Sequence, residues 1–124
     1  MCGIAGVFDL SGAAIGDLEE RLRFMNLRQR HRGPDGEGTW TAPSGCVGLG
    51  HVRLSILDLE GGAQPMLAPE AGLAIVFNGE IYNFRELREE LRGEFRFRSD
   101  SDTEVILHAY QKWGDDCVSR LRGM

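Results

Sequence analysis

Residues 72–84, GLAIVFNGEIYNF, constrain the fold more than any other stretch. Leu73 to Phe77 is the most apolar strand-like run of the chain, and it passes directly into Asn78-Gly79, a pair favoured where the backbone turns sharply with positive φ. A helix signal follows at once: Asn83 as N-cap, Glu86 completing a capping box, and Leu87 and Leu91 at helical spacing. A buried strand, a turn and a helix thus succeed one another with no linker between them.

The flanking segments supply the other elements. Residues 2 to 9 read as a buried strand with Cys2 first, because β-branched and aromatic residues run to a Ser-Gly turn. GDLEERLRFMNLRQRHRG predicts a surface helix capped by Asp17, with Glu20 three residues on and Leu18, Leu22 and Met25 on one face; it ends near Arg28, before Gly33 and Pro34. RHRGPDGEG is an Arg-, Gly- and Pro-rich loop. Strand character returns at CVGLGHVRLSILDL, where Val47 and Leu49 alternate with glycines and a second apolar run covers Leu54 to Leu59; GGAQPM breaks it. Phe95 and Phe97 alternate with Arg96 and Arg98 as a short strand. SDSDTEVILHAYQKWGDDCV is a helix capped by Ser101 or Asp102, with Ile106, Ala109, Tyr110 and Trp113 as its face and Gly114 as its stop. The order lacks regular βαβ alternation, so the expected class is α+β with antiparallel sheet.

With 124 residues, 42% hydrophobic and 27% charged, one soluble globular domain is expected. A net charge of −5 and only one short Arg-rich stretch argue against nucleic acid and anionic membrane as partners. Cys2, Cys46 and Cys117 form neither an even disulfide set nor a CxxC pair, and none of the three histidines stands at metal-ligand spacing, so no metal site and a reducing, cytoplasmic setting are expected. Asp9 interrupts the early apolar run too soon for a signal sequence, and Cys2 in place of glycine closes N-myristoylation. Neither GxxxxGK[ST] nor GxGxxG occurs.

The residues able to do chemistry are few. Removal of Met1 would leave Cys2 with both a thiol and a free α-amine, a nucleophile and a base on one residue. A reference thiol titrates near about 8.5 and an α-amine at about 7.7 to 8.0, so the amine is able to take the thiol's proton near neutrality. A thiol at a strand start also serves as a small packed hydrophobe. Asn78-Gly79 is either a hairpin turn or an amide and an N–H aimed at a developing oxyanion. Arg53, Glu80 and Asp102 would grip the two ends of an α-amino acid, an arginine fork for the carboxylate and paired carboxylates for the ammonium; singly, they read as an edge charge, a solvated turn residue and a helix cap. RHRGPDG reads as a structural loop near a pocket. Cys46 and Cys117 read as packing residues, with His31, His51 and His108 unassigned.

MCGIAGVFD, RHRGPDG, HVRLSILDLEGGAQPM, FNGEIYNFRELR and SDTEVILHAY occur in this order over nearly the whole chain. Together they resemble the class II glutamine amidotransferase domain, of N-terminal nucleophile hydrolase type, found at the front of asparagine synthetases. The resemblance implies a four-layer αββα sandwich of antiparallel sheets between helices, incomplete at its C-terminal side, with residues 1–124 as the amidotransferase domain and the synthetase domain absent. It implies that Cys2 attacks glutamine, that Asn78 and Gly79 hold the oxyanion, that Arg53 binds the carboxylate and that Glu80 and Asp102 bind the α-ammonium, with the backbone at Ile56 and Leu57 closing the pocket. Ammonia would pass to a synthetase domain using ATP, magnesium and aspartate; no cofactor is expected in this chain, and a homodimer is left open. The same resemblance admits an inactive glutamine-binding or subunit-interaction module, or the amidotransferase domain of an enzyme amidating another carboxylate.

Overall fold

The computed structural model describes residues 2–55 and 62–124. Among these, the elements are β1 (Gly3–Phe8), α1 (Leu18–Gln29), β2 (Gly36–Thr41), β3 (Val47–Arg53), β4 (Met66–Ala68), β5 (Leu73–Ile75), α2 (Phe84–Leu91) and α3 (Asp102–Trp113), with 3-10 turns at Arg30–Arg32, Pro69–Ala71 and Gly114–Arg120. Every strand pair is antiparallel, as the element order implies. The chain divides into two compact units. One holds the residues as far as Ser55 with Ala63–Pro65 and Val76–Asn78; the other holds Gly62, Met66–Ile75 and Gly79–Met124.

The first unit is a three-stranded sheet, ordered β1-β3-β2, with α1 on one face. Gly3 stands opposite Val52 and Phe8 opposite Val47, while Gly36 stands opposite Arg53 and Thr41 opposite Gly48. Strand alternation then puts Gly48, Gly50 and Val52 on the face beneath α1, and Leu49, His51 and Arg53 on the other. The two glycines let the helix lie close: a Cβ on Gly48 would stand 2.7 Å from Leu22 Cδ1, and one on Gly50 would stand 2.6 Å from Asn26 Oδ1. Leu18, Leu22 and Asn26 are the buried row of α1. Burying a side chain such as Leu22 contributes about 1.5 to 3 kcal/mol.

Met25, expected on that face, is 38% exposed, and Asn26 takes its place, donating from Nδ2 to the Gly38 carbonyl at 3.0 Å. The row Leu18, Leu22, Asn26 keeps strict i, i+4 spacing, which an apolar count cannot follow through a polar residue. The Asp17 capping box does not form: φ of 55° turns Asp17 left-handed, its side chain makes no cap bond, and its carbonyl accepts the Arg21 N–H instead.

In the second unit, β4 and β5 form a hairpin against α3, and α2 packs on α3. Leu87, Leu91, Val105, Leu107 and Ala109 are its buried apolar residues along the helices. Of the expected face, Ala109 is buried but Tyr110 is 43% exposed, so the inward face of α3 is centred on Val105, His108 and Ala109 rather than running through Ile106, Tyr110 and Trp113. The cap is Ser101, whose Oγ accepts the Thr103 N–H at 3.1 Å; Asp102 is the first helical residue. Residues 95–98 form no strand. Phe95 stacks on the His108 ring and Phe97 meets it edge-on, both at 4.8 Å between centroids. Asn83 precedes α2, but its side chain bonds the Arg120 carbonyl and the Arg122 N–H, so no capping box forms there either.

Candidate functional site

The first unit carries Cys2, Arg53 and Asn78. Cys2 immediately precedes β1, next to the Gly3–Val52 pair, and its side chain reaches Leu54, the residue after β3. Its Sγ accepts the Leu54 N–H at 3.4 Å and lies 3.6 Å from the Leu54 carbonyl oxygen. The Arg32 Nε donates to the Cys2 carbonyl at 3.1 Å, so the RHRGPDG loop anchors the residue that holds the thiol. That loop also braces the end of β3, because the Asp35 carboxylate accepts the Ser55 N–H at 2.8 Å and the Asp35 N–H donates to the Arg53 carbonyl at 2.9 Å. Arg30 and the run from Gly33 to Glu37 line a cleft of about 260 Å³.

Asn78 ends a segment held to this unit at Phe77. The Phe77 N–H donates to Gln64 Oε1 at 2.6 Å, and the Phe77 carbonyl accepts a hydrogen bond from the His51 ring. With both backbone groups taken by side chains, Phe77 pairs with no strand; β5 ends at Ile75, where the next partner in register would be Pro65, although the apolar run extends to Phe77. Asn78 and Gly79 are both half-buried, and Gly79 lies at a bend. Neither has the positive φ expected of an Asn-Gly hairpin; among the described residues that conformation belongs to Asp17, Gly12, Gly45, Gly72 and Gly114.

The second unit carries Gly79, Glu80 and Asp102. Asp102 is 7% exposed at the start of α3, and its Oδ2 accepts the Ile81 N–H at 2.9 Å. The Glu80 main chain pairs with Met124 through N–H to carbonyl bonds of 2.9 and 3.0 Å, and the Tyr82 N–H donates to the Arg122 carbonyl at 2.7 Å. Partial burial pushes the Glu80 carboxyl above its usual range, and the Asp102 charge pushes it further. A bound cation would relieve the cost that burial and the Asp102 charge put on ionising Glu80.

Ile56 and Leu57 lie outside the described residues. The sequence reading missed Arg32, His51 and Gln64 as supports. For His51 a signal existed: it stands two residues before Arg53 in a strand, hence on the same face. Cys2, Cys46 and Cys117 are unpaired. Among the described residues, no helix is long and apolar enough to cross a membrane.

Residues 1–124 match the family model of the glutamine amidotransferase domain. The chain is 46% identical over 126 residues to asparagine synthetase (glutamine-hydrolyzing) 1 of Bacillus subtilis (strain 168), covering 100% of this chain and 20% of that protein. It is 40% identical over 124 residues to asparagine synthetase B (glutamine-hydrolyzing) of Escherichia coli (strain K12), with 100% and 22% covered. It is 42% identical over 125 residues to a probable asparagine synthetase (glutamine-hydrolyzing) of Dictyostelium discoideum, with 99% and 22% covered. The chain spans about a fifth of the length of these relatives, in each case matching along nearly all of itself. It belongs to the glutamine amidotransferase domain family.

Proposed function

We propose that residues 1–124 are the amidotransferase domain of an asparagine-synthetase-type enzyme and perform its glutamine-hydrolysing step. With Met1 removed, the Cys2 Sγ attacks the side-chain carbonyl carbon of glutamine and its proton passes to the Cys2 α-amine. The Asn78 amide and the Gly79 N–H hold the tetrahedral oxyanion. Collapse expels ammonia as the amine returns the proton, and water cleaves the thioester to glutamate. Arg53 takes the α-carboxylate, and Glu80 and Asp102 take the α-ammonium, with main-chain groups at Ile56 and Leu57 completing the pocket. The step uses no cofactor. ATP, magnesium and aspartate belong to the reaction that receives the ammonia, carried by a synthetase domain.

The observation that supports this reading is the Cys2 thiol bonded to Leu54, the residue after Arg53, together with His51, which on the sheet face opposite α1 grips the residue before Asn78. The same face supports a four-layer αββα arrangement. Ile4 and Phe8 are 48% and 63% exposed on it, an apolar surface suited to a second sheet. The unpaired cysteines favour a reducing, cytoplasmic setting.

Intact mass should show loss of Met1, and the protein should release glutamate from glutamine. Cys2→Ala should abolish release, and Asn78→Ala should lower kcat by roughly 10²- to 10³-fold. Full turnover by the Cys2→Ala protein would end this reading.

A further inference from the structure

His51 and Gln64 have no part in the scheme above, yet both are spent on one residue, Phe77, which precedes Asn78. Gln64 Oε1 accepts the Phe77 N–H at 2.6 Å. The His51 ring donates to the Phe77 carbonyl, and because His51 Nε2 has no partner among the described residues, the donor is Nδ1–H. The Phe77 carbonyl and the Asn78 N–H belong to one planar peptide unit. Fixing the carbonyl direction therefore fixes the plane from which the Asn78 side chain departs.

Both clamps are seated against the sheet of the first unit. His51 is 1% exposed, in register between Ile4 of β1 and Gly38 of β2. The main chain of Gln64 lies against Gly38, where any Cβ would collide with the Gln64 carbonyl. Burial, with the nearby Arg53 charge, holds the His51 ring below its ordinary pKa, so it stays neutral and its donated proton does not come and go near neutral pH. A buried ring with an unmatched nitrogen is a cost that a leucine in the same place would not carry.

We propose that His51 and Gln64 are positioning residues for oxyanion stabilisation, which clamp the Phe77 main chain and thereby aim the Asn78 amide at the reacting carbonyl. This rests on Asn78 being an oxyanion donor. An ångström of misplacement at such a donor costs up to about 100-fold in rate, so His51→Leu and Gln64→Leu should each lower kcat by roughly 10- to 100-fold. The glutamine KM should move by less than about threefold, because the lost interaction forms in the transition state.

The test measures glutaminase kcat and KM for His51→Leu, His51→Asn and Gln64→Leu, each alone and combined with Asn78→Ala, in the full chain, with circular dichroism as the check on folding. The Asn amide nitrogen falls near the place of Nδ1, so His51→Asn should restore most of kcat. Alkylation of Cys2 by iodoacetamide, which forms no oxyanion, should run at the parent rate in all three. In the Asn78→Ala background the clamp variants should cause no further loss. Full additivity there, or parent kcat in His51→Leu, overturns the proposal while leaving Asn78 in its role. Undiminished kcat in Asn78→Ala alone overturns the oxyanion assignment, and this proposal with it. Should His51→Leu not fold, Gln64→Leu decides the matter; if none of the three clamp variants folds, the pair is structural and the proposal fails.

Discussion

The contact between α1 and β3 makes a quantitative prediction at Gly50. In Gly50→Ala the added methyl would stand 2.6 Å from Asn26 Oδ1, 3.3 Å from Asn26 Cγ and 3.4 Å from the Ala5 Cβ. Asn26 cannot simply swing aside, since it is 1% exposed and its Nδ2 holds the Gly38 carbonyl at 3.0 Å. Forcing a methyl into so tight a gap costs about 1 to 3 kcal/mol. Breaking the Asn26 bond strands a buried donor, at about 1 to 3 kcal/mol more. Gly50 has no positive φ, so the stiffer unfolded chain of the alanine variant returns about 0.4 to 1 kcal/mol. A net loss of about 2 to 4 kcal/mol follows, lowering a urea midpoint by about 1 M or more. Urea denaturation followed by circular dichroism reads it directly. Asn26→Ala removes the obstacle, so the double variant should be at least about 1 kcal/mol more stable than the summed single losses require. Parental stability in Gly50→Ala, or strict additivity in the double, would refute the close seating of α1 on the sheet that carries Cys2.

Three further outcomes follow from the second unit. The Glu80 pKa is raised above its usual value of 4.5, so Glu80 protonates early on acidification and the glutamine KM should rise as pH falls from neutrality toward that value; Glu80→Gln should have a higher KM at neutral pH but a flatter acid limb in KM-against-pH plots. The sign for folding is opposite: the raised native pKa favours the fold below 4.5 and that gain is lost as pH rises through the native value, so Glu80→Gln should gain stability relative to the parent in denaturation at pH 7 and lose that advantage near pH 4. Ser101→Ala removes the acceptor of the Thr103 N–H and should cost about 1 kcal/mol in the same assay.

Apolar periodicity made the three helices and β1 and β3 legible, because each commits one face to a core. It was blind where a polar side chain does the burying: Asn26 completes the inner row of α1, and His108 fills the space between Phe95 and Phe97 that alternation assigned to a strand. β2, GEGTWT, offers two glycines and one large apolar side chain, and owes its strand to the β3 edge, a long-range partner no local pattern reports. The capping boxes failed for a related reason. Asp17 is left-handed, and Asn83 is drawn to Arg120 and Arg122, nearly forty positions away. Candidate chemical residues could be named one by one from their types; Arg32, His51 and Gln64 bond main-chain atoms, and for Arg32 and Gln64 residue type alone leaves no sign of that.

The pairing of Glu80 and Tyr82 with Arg122 and Met124 ties the fate of an acidic side chain to a stretch far downstream. A proteolytic nick after Leu121 would unfasten that splint and free the Glu80 backbone to drift from its neighbour Asp102. On the proposed roles, such a nick would cost glutamine recognition while the Cys2 thiol stayed reactive, so chemical labelling of Cys2 would overstate the hydrolytic activity that remains.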